Sequence, residues 1–126
     1  MALCCCLFSG VSRAEIRCHY EYGGQATILE VAPDVDPYRA PVLKIGSYLM
    51  FRVVWQTTPP AHAAVHTYVY VDTGDAPIIL QQGSWSLPQI NAAHYGFTGR
   101  QRVYEPARDS ELQYWCESSA TDTRAP

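Results

Sequence analysis

Alternation with a period of two dominates this chain. Between Glu15 and Tyr22, Ile16, Cys18, Tyr20 and Tyr22 fall on one face, and Arg17, His19 and Glu21 fall on the other. Leu49, Phe51, Val53 and Trp55 share a face, with Tyr48, Met50, Arg52 and Val54 opposite them. VHTYVYVD (Val65 to Asp72) and ELQYWCE (Glu111 to Glu117) repeat the pattern. A strand sends successive side chains to opposite sides, so this period marks half-buried strands. No stretch of ten or more residues carries an apolar stripe at the helical period.

The punctuation between these runs places the turns. Gly23-Gly24 closes a hairpin into Gln25 to Ala32. A proline-rich loop covers Pro33 to Pro41, and Val42 to Gln56 is a long strand region broken or bulged at Gly46. Thr57 to Ala64 is a loop with Pro59-Pro60. Thr73-Gly74-Asp75 turns Val65 to Asp72 back into Pro77 to Gln82. Gly83 to Gly99 is irregular, with room for one helical turn near Gln89 to His94, and Arg100 to Glu105 pairs with Glu111 to Glu117. About seven strands with no helices between them predict an all-β antiparallel β-sandwich.

A chain of 126 residues gives one domain. Its net charge of −3 lacks the basic face that a nucleic-acid binder needs. No apolar run reaches the length of a transmembrane helix. With 48% hydrophobic and 17% charged residues the composition is that of a folded domain. The domain is expected at 15–117, followed by a small, polar, disordered tail at 118–126.

Residues 1–14 (MALCCCLFSGVSRA) read as a signal peptide. An apolar run from Ala2 to Phe8 leads to Ser12-x-Ala14, a small-x-small cleavage pattern that would leave Glu15 first. The basic residue that normally precedes the apolar run is absent, so the n-region is incomplete. Cleavage removes Cys4, Cys5 and Cys6 and leaves Cys18 and Cys116, an even count suited to an oxidising compartment. Eight of the nine basic residues are Arg, and Ala is abundant, which points to a GC-rich bacterial genome. The expected location is periplasmic or secreted.

Cys18 and Cys116 each alternate with apolar neighbours, so both sulfurs should point inward and bridge, either between adjacent strands or between facing sheets. The bond would join positions 98 apart. Tyr114-Trp115-Cys116 resembles the Y-x-C of immunoglobulin domains, and Ile16-Arg17-Cys18 resembles their first-cysteine strand. That resemblance implies an immunoglobulin-like sandwich. It covers a tripeptide only: Trp55 lies 37 residues beyond Cys18, and Asp109 is one position too far from Cys116, so no family is assigned.

Catalytic spacings are missing. His62 and His66 are four apart, but without the helix and Glu of a zinc protease. Asp34, Asp36, Asp72 and Asp75 suit turns better than a calcium loop. No nucleophile elbow, phosphate loop or dinucleotide fingerprint occurs. No enzyme activity, cofactor or metal is expected. The aromatics say more. Nine Tyr and three Trp stand against three Phe, and such amphipathic rings suit binding surfaces. Alternation turns His66, Tyr68, Tyr70 and Trp115 outward, and Trp85 falls in the Gly83–Pro88 loop. These five residues form the candidate binding surface. The expected function is an exported binding domain of the bacterial cell envelope, monomer or dimer, whose partner is a protein or envelope component. The alternatives are a small secreted hydrolase or enzyme accessory domain, and an inhibitor or immunity-type protein that plugs a partner with the Thr57–Ala64 or Gly83–Gly99 loop.

Overall fold

A computed structural model describes residues 15–34 and 36–119. The stretch read as a signal peptide, 1–14, and positions 120–126 of the expected tail lie outside the described residues. Nine strands follow one another: β1 (Ile16–Tyr22), β2 (Gln25–Val31), β3 (Pro33–Asp34), β4 (Leu43–Ile45), β5 (Leu49–Gln56), β6 (Ala64–Asp72), β7 (Pro77–Ser86), β8 (Gln101–Glu105) and β9 (Ser110–Ser118). Short 3-10 turns occur at Pro37–Arg39 and Pro60–His62. No helix among the described residues is long and apolar enough to cross a membrane.

The strands form two sheets. The front sheet has the order β2-β1-β9-β8, all antiparallel. The back sheet runs β3-β5-β6-β7, with β4 also paired to β5; only the β3–β5 pair is parallel. The all-β, two-sheet expectation holds. The count of about seven becomes nine because the long region at 42–56 is two strands and Pro33–Asp34 adds a third short one. Gly46, at φ 61°, makes the turn between β4 and β5 and leaves room for the ring of Tyr22. β7 continues through Trp85 to Ser86, so Trp85 is a strand residue and not a loop residue. Ser118 completes β9 and is buried, so the tail begins later than position 118.

The inner faces carry the alternation read from the sequence. Ile16 and Cys18 of β1, Leu49, Phe51 and Val53 of β5, Val65, Val69 and Val71 of β6, Val103 of β8, and Leu112, Tyr114 and Cys116 of β9 form one buried core. Phe51 packs against Tyr114 at 4.8 Å and edge-on to Tyr20 at 5.8 Å. Two polar groups cross this core as a pair. Thr67 donates from Oγ1 to the Tyr114 hydroxyl at 2.8 Å, and that hydroxyl donates to Gln81 Oε1 at 2.6 Å. The chain continues through Gln81 Nε2 to Gln101 Oε1 (3.0 Å) and Gln101 Nε2 to the Thr98 carbonyl (2.9 Å). Buried hydroxyls satisfied in this way lock the two sheets in register.

Cys18 and Cys116 are bonded, with Cα atoms 4.0 Å apart. They are directly opposed neighbours in the β1–β9 ladder, so the bridge lies within the front sheet. In immunoglobulin domains the bond joins two sheets. Tyr114 also differs from their tyrosine corner, since its hydroxyl bonds to the side chains of Thr67 and Gln81. The described residues form a two-sheet β-sandwich in which the Cys18–Cys116 disulfide staples the first and last strands.

Candidate functional site

Ladder parity sends β1 residues 17, 19 and 21 and β9 residues 113, 115 and 117 to the outer side of the front sheet. His19 and Trp115 are a directly opposed pair there. Their rings stack with centroids 3.8 Å apart and planes within 7°. His19 Nε2 donates to Glu117 Oε2 at 2.9 Å. Both are partly screened, with side chains 26% and 29% exposed. The carboxylate holds the ring orientation, and cross-strand stacking holds its plane.

The segment at 88–99 builds the second wall. β8 pairs with β9 only as far as Tyr114, which leaves the β9 edge open at residues 116 and 118. Phe97 N–H donates to the Cys116 carbonyl, and Cys116 N–H donates to Thr98 Oγ1, both at 2.9 Å. The Asn91 amide reads Ser118 as a strand would, donating to its carbonyl and accepting its N–H. Gly96 makes the contact possible. Its φ is 60°, and a Cβ there would sit 2.0 Å from the Cys116 carbonyl oxygen. Tyr95 precedes it at φ 61° and is thrown onto Trp115, edge to face at 5.9 Å. Arg100 lies over the Tyr95 ring at 5.6 Å and donates to Gln113 Oε1. Cation–π contacts of this kind favour a held guanidinium.

Together His19, Glu21, Tyr95, Arg100, Gln113 and Trp115 line a groove of about 220 Å³. A second hollow of about 210 Å³ continues past Trp115 towards Asn91 and Glu117. The groove offers ring faces and edges, donors on Arg100 and Gln113, and an acceptor on Glu21. No serine, threonine or cysteine lines it. A larger hollow of about 380 Å³ lies at the end of the sandwich beside Ile16, Arg17 and Trp55. Its carboxylates, Glu15 and Glu30, already flank Arg17 at 3.6 and 3.7 Å.

The structure divides the five residues singled out in the sequence. Trp115 belongs to the groove. His66, Tyr68 and Tyr70 lie on the outer face of the back sheet, the opposite side of the molecule. Trp85 opposes Val65, which is fully buried, so its ring faces inward and meets Phe97 edge-on at 6.4 Å. The five therefore do not make one surface. Sequence reasoning missed His19, Tyr95, Arg100 and Glu117 as partners of Trp115. His19 was readable, since its outward parity matches that of Trp115 once β1 and β9 are joined by the cysteines. Tyr95 was not, because it comes from an irregular segment; Arg100, read as the first residue of the strand at 100–105, lies just before β8.

On the back sheet, Tyr68 and Tyr70 stack at 6.1 Å and Arg52 sits over Tyr68 at 5.9 Å. Beside them runs a polar chain. Gln56 Nε2 donates to the Thr58 carbonyl at 3.2 Å, which turns Gln56 Oε1 towards His66 Nε2 at 3.3 Å. That leaves His66 Nδ1 to accept from Ser84 Oγ at 2.8 Å. Gln56 is neutral, so it fixes the imidazole tautomer without the charge that a carboxylate partner supplies.

Among the described residues no group of three or more His, Cys, Asp or Glu is placed to hold a metal ion. No protein-family model matches the chain, and no curated protein or solved structure matches it either.

Proposed function

We propose that this protein is an exported binding domain that captures a protein or cell-envelope component on the outer face of its front sheet. The observation that carries the reading is the stacked His19–Trp115 pair extended by Tyr95 and Arg100 into a groove. Binding surfaces draw most of their energy from a few aromatic and arginine anchors surrounded by polar groups, and this groove has that composition. Export rests on the signal-like segment at 1–14 and is supported by the disulfide, a bond that persists in oxidising compartments. The 88–99 segment lies along β9, which favours a groove over a plugging loop.

The test is site-specific photocrosslinking in an envelope extract. A benzophenone side chain at Gln113 should give a discrete adduct, and Tyr95→Ala should abolish it. The same probe at Gln82, on the back sheet, should give none. An adduct at Gln82 alone, or one at Gln113 that survives Tyr95→Ala, overturns the proposal.

A second reading, a small hydrolase, draws on the Ser84–His66–Gln56 chain. There the Ser84 hydroxyl already donates to an imidazole nitrogen of the tautomer that a general base requires. A fluorophosphonate probe should then label Ser84, and His66→Ala should prevent it. Absence of labelling removes this reading.

A further inference from the structure

Among the described residues five strands border open edges, and four of them are defended. β3 and β4 have two and three residues, and β8 has five, with Arg102 and Tyr104 exposed. β7 starts at Pro77 and breaks register opposite Val69 and Tyr70. Short length, proline, charge and bulges are the usual protections against strand addition. β2 is the least protected. Its seven residues, QATILEV, pair with β1 in unbroken register and include no Pro, Gly or Lys. Glu30 is its one charged residue.

The ladder fixes which groups face that edge. The Cys116 N–H and C=O are taken by Thr98 and Phe97, on the side away from β1. Cys18 and Cys116 are therefore a non-hydrogen-bonded pair, and Cys18 turns its own N–H and C=O to Leu29 of β2. Alternation then points the N–H and C=O of Ala26, Ile28 and Glu30 outward. No hydrogen bond among the described residues reaches them. Leu29 to Ala32 at one end of this strand share a hollow of about 120 Å³ with Ala40, Pro41 and Val53. The Ile28 side chain is 58% exposed and lies beside His19 on the groove face.

We infer that β2 docks a second copy of this chain by antiparallel strand addition about a two-fold axis at Ile28. That register is self-complementary. Ile28 meets the second copy's Ile28, and Ala26 meets the second copy's Glu30, so no like charges oppose one another. All three residues exchange both backbone hydrogen bonds, as closed two-fold pairing requires. The product is one eight-stranded sheet formed by two four-stranded front sheets. The row Trp115–His19–Ile28 runs unbroken across the axis into its copy, and the two grooves share one face. Strand addition uses the backbone edge of β2, and although Ala26 also lines the groove, association is read without any groove ligand.

Sedimentation velocity on the full, oxidised chain from micromolar to millimolar concentration tests it. The chain should show a concentration-dependent dimer. Ile28→Lys sets two ammonium groups together on the axis and should weaken the dimer at least tenfold. Ala26→Lys places an ammonium opposite the second copy's Glu30, twice per dimer, and should tighten it about fivefold. Adding Glu30→Lys to Ala26→Lys sets Lys against Lys and should reverse that gain. All three side chains are exposed, and circular dichroism checks that each variant is folded. A monomer at every concentration, or a dimer indifferent to these changes, overturns the inference.

Discussion

On the front sheet Trp115 carries His19 on one ring face and the edge of Tyr95, while on the back sheet Tyr68 and Tyr70 stack on each other beside Arg52. Both faces begin from the same alternation of outward aromatics on neighbouring strands. They part because β8 stops short of the end of β9. The uncovered end of β9 recruits the 88–99 segment, which brings Tyr95 and Arg100 to one side of Trp115 and turns a flat face into a groove. β6 is paired along its whole length by β5 and β7, so no segment is drawn onto the back sheet through its strand ends. A ring becomes part of a concave site when the neighbouring edge is left unpaired, because open backbone groups need partners.

The largest expected effect concerns the staple beneath the groove. Replacing Cys18 and Cys116 together by Ser should cost about 2–5 kcal/mol in chemical denaturation. Amide exchange should accelerate in β1 and β9 before it does in β5 and β6. Equal acceleration in both sheets would show that the bond supports the whole sandwich and not the front sheet in particular.

Gly96→Ala should come next. It combines a left-handed backbone with a clash against the Cys116 carbonyl, together about 3 kcal/mol. The 88–99 segment should detach while the core persists, read as lost protection at Phe97 and Cys116 with the Tyr68–Tyr70 face unchanged. A variant that keeps this protection would show that the segment does not depend on the close approach at Gly96.

Trp115→Ala or Tyr95→Ala should weaken capture of the crosslinked partner by about 2 kcal/mol. Tyr68→Ala and Tyr70→Ala should change it by no more than about 0.5 kcal/mol. The reverse pattern would move the site to the back sheet.

The smallest effect tests what couples the faces. Burial, opposed in part by the Thr67 hydrogen bond, raises the Tyr114 phenol above its ordinary value. The folded state therefore holds this proton more tightly than the unfolded chain. Stability from this group is fully present below the ordinary tyrosine value and is lost as pH rises through the folded value. Tyr114→Phe should cost about 1 kcal/mol at neutral pH by leaving Thr67 and Gln81 without that partner, and it should flatten the alkaline fall. An unchanged alkaline slope would place the titrating group elsewhere, with exposed Tyr104 the next to examine: its hydrogen bond to Asp109 also raises its phenol.

Much of the fold was legible. Leu49, Phe51, Val53, Cys18, Tyr114 and Cys116 all lie inside, as their parity required, because in a strand burial follows from position alone. The pairing of the two cysteines was legible for the same reason. Parity, however, names a side of a strand and not which sheet that strand joins. His66, Tyr68 and Tyr70 share outward parity with Trp115, yet the chain crosses between sheets from β2 to β3 and from β7 to β8 and sets them on opposite sides of the molecule. Trp85 was misplaced because β7 continues past Gly83, the glycine that gives its indole room to fold back over the strand. Local alternation thus determined the strands, the core and the disulfide, since each depends on neighbours along the chain. The groove was decided only in three dimensions, where the open end of β9 met a segment with no periodicity and Gly96 let the two backbones touch.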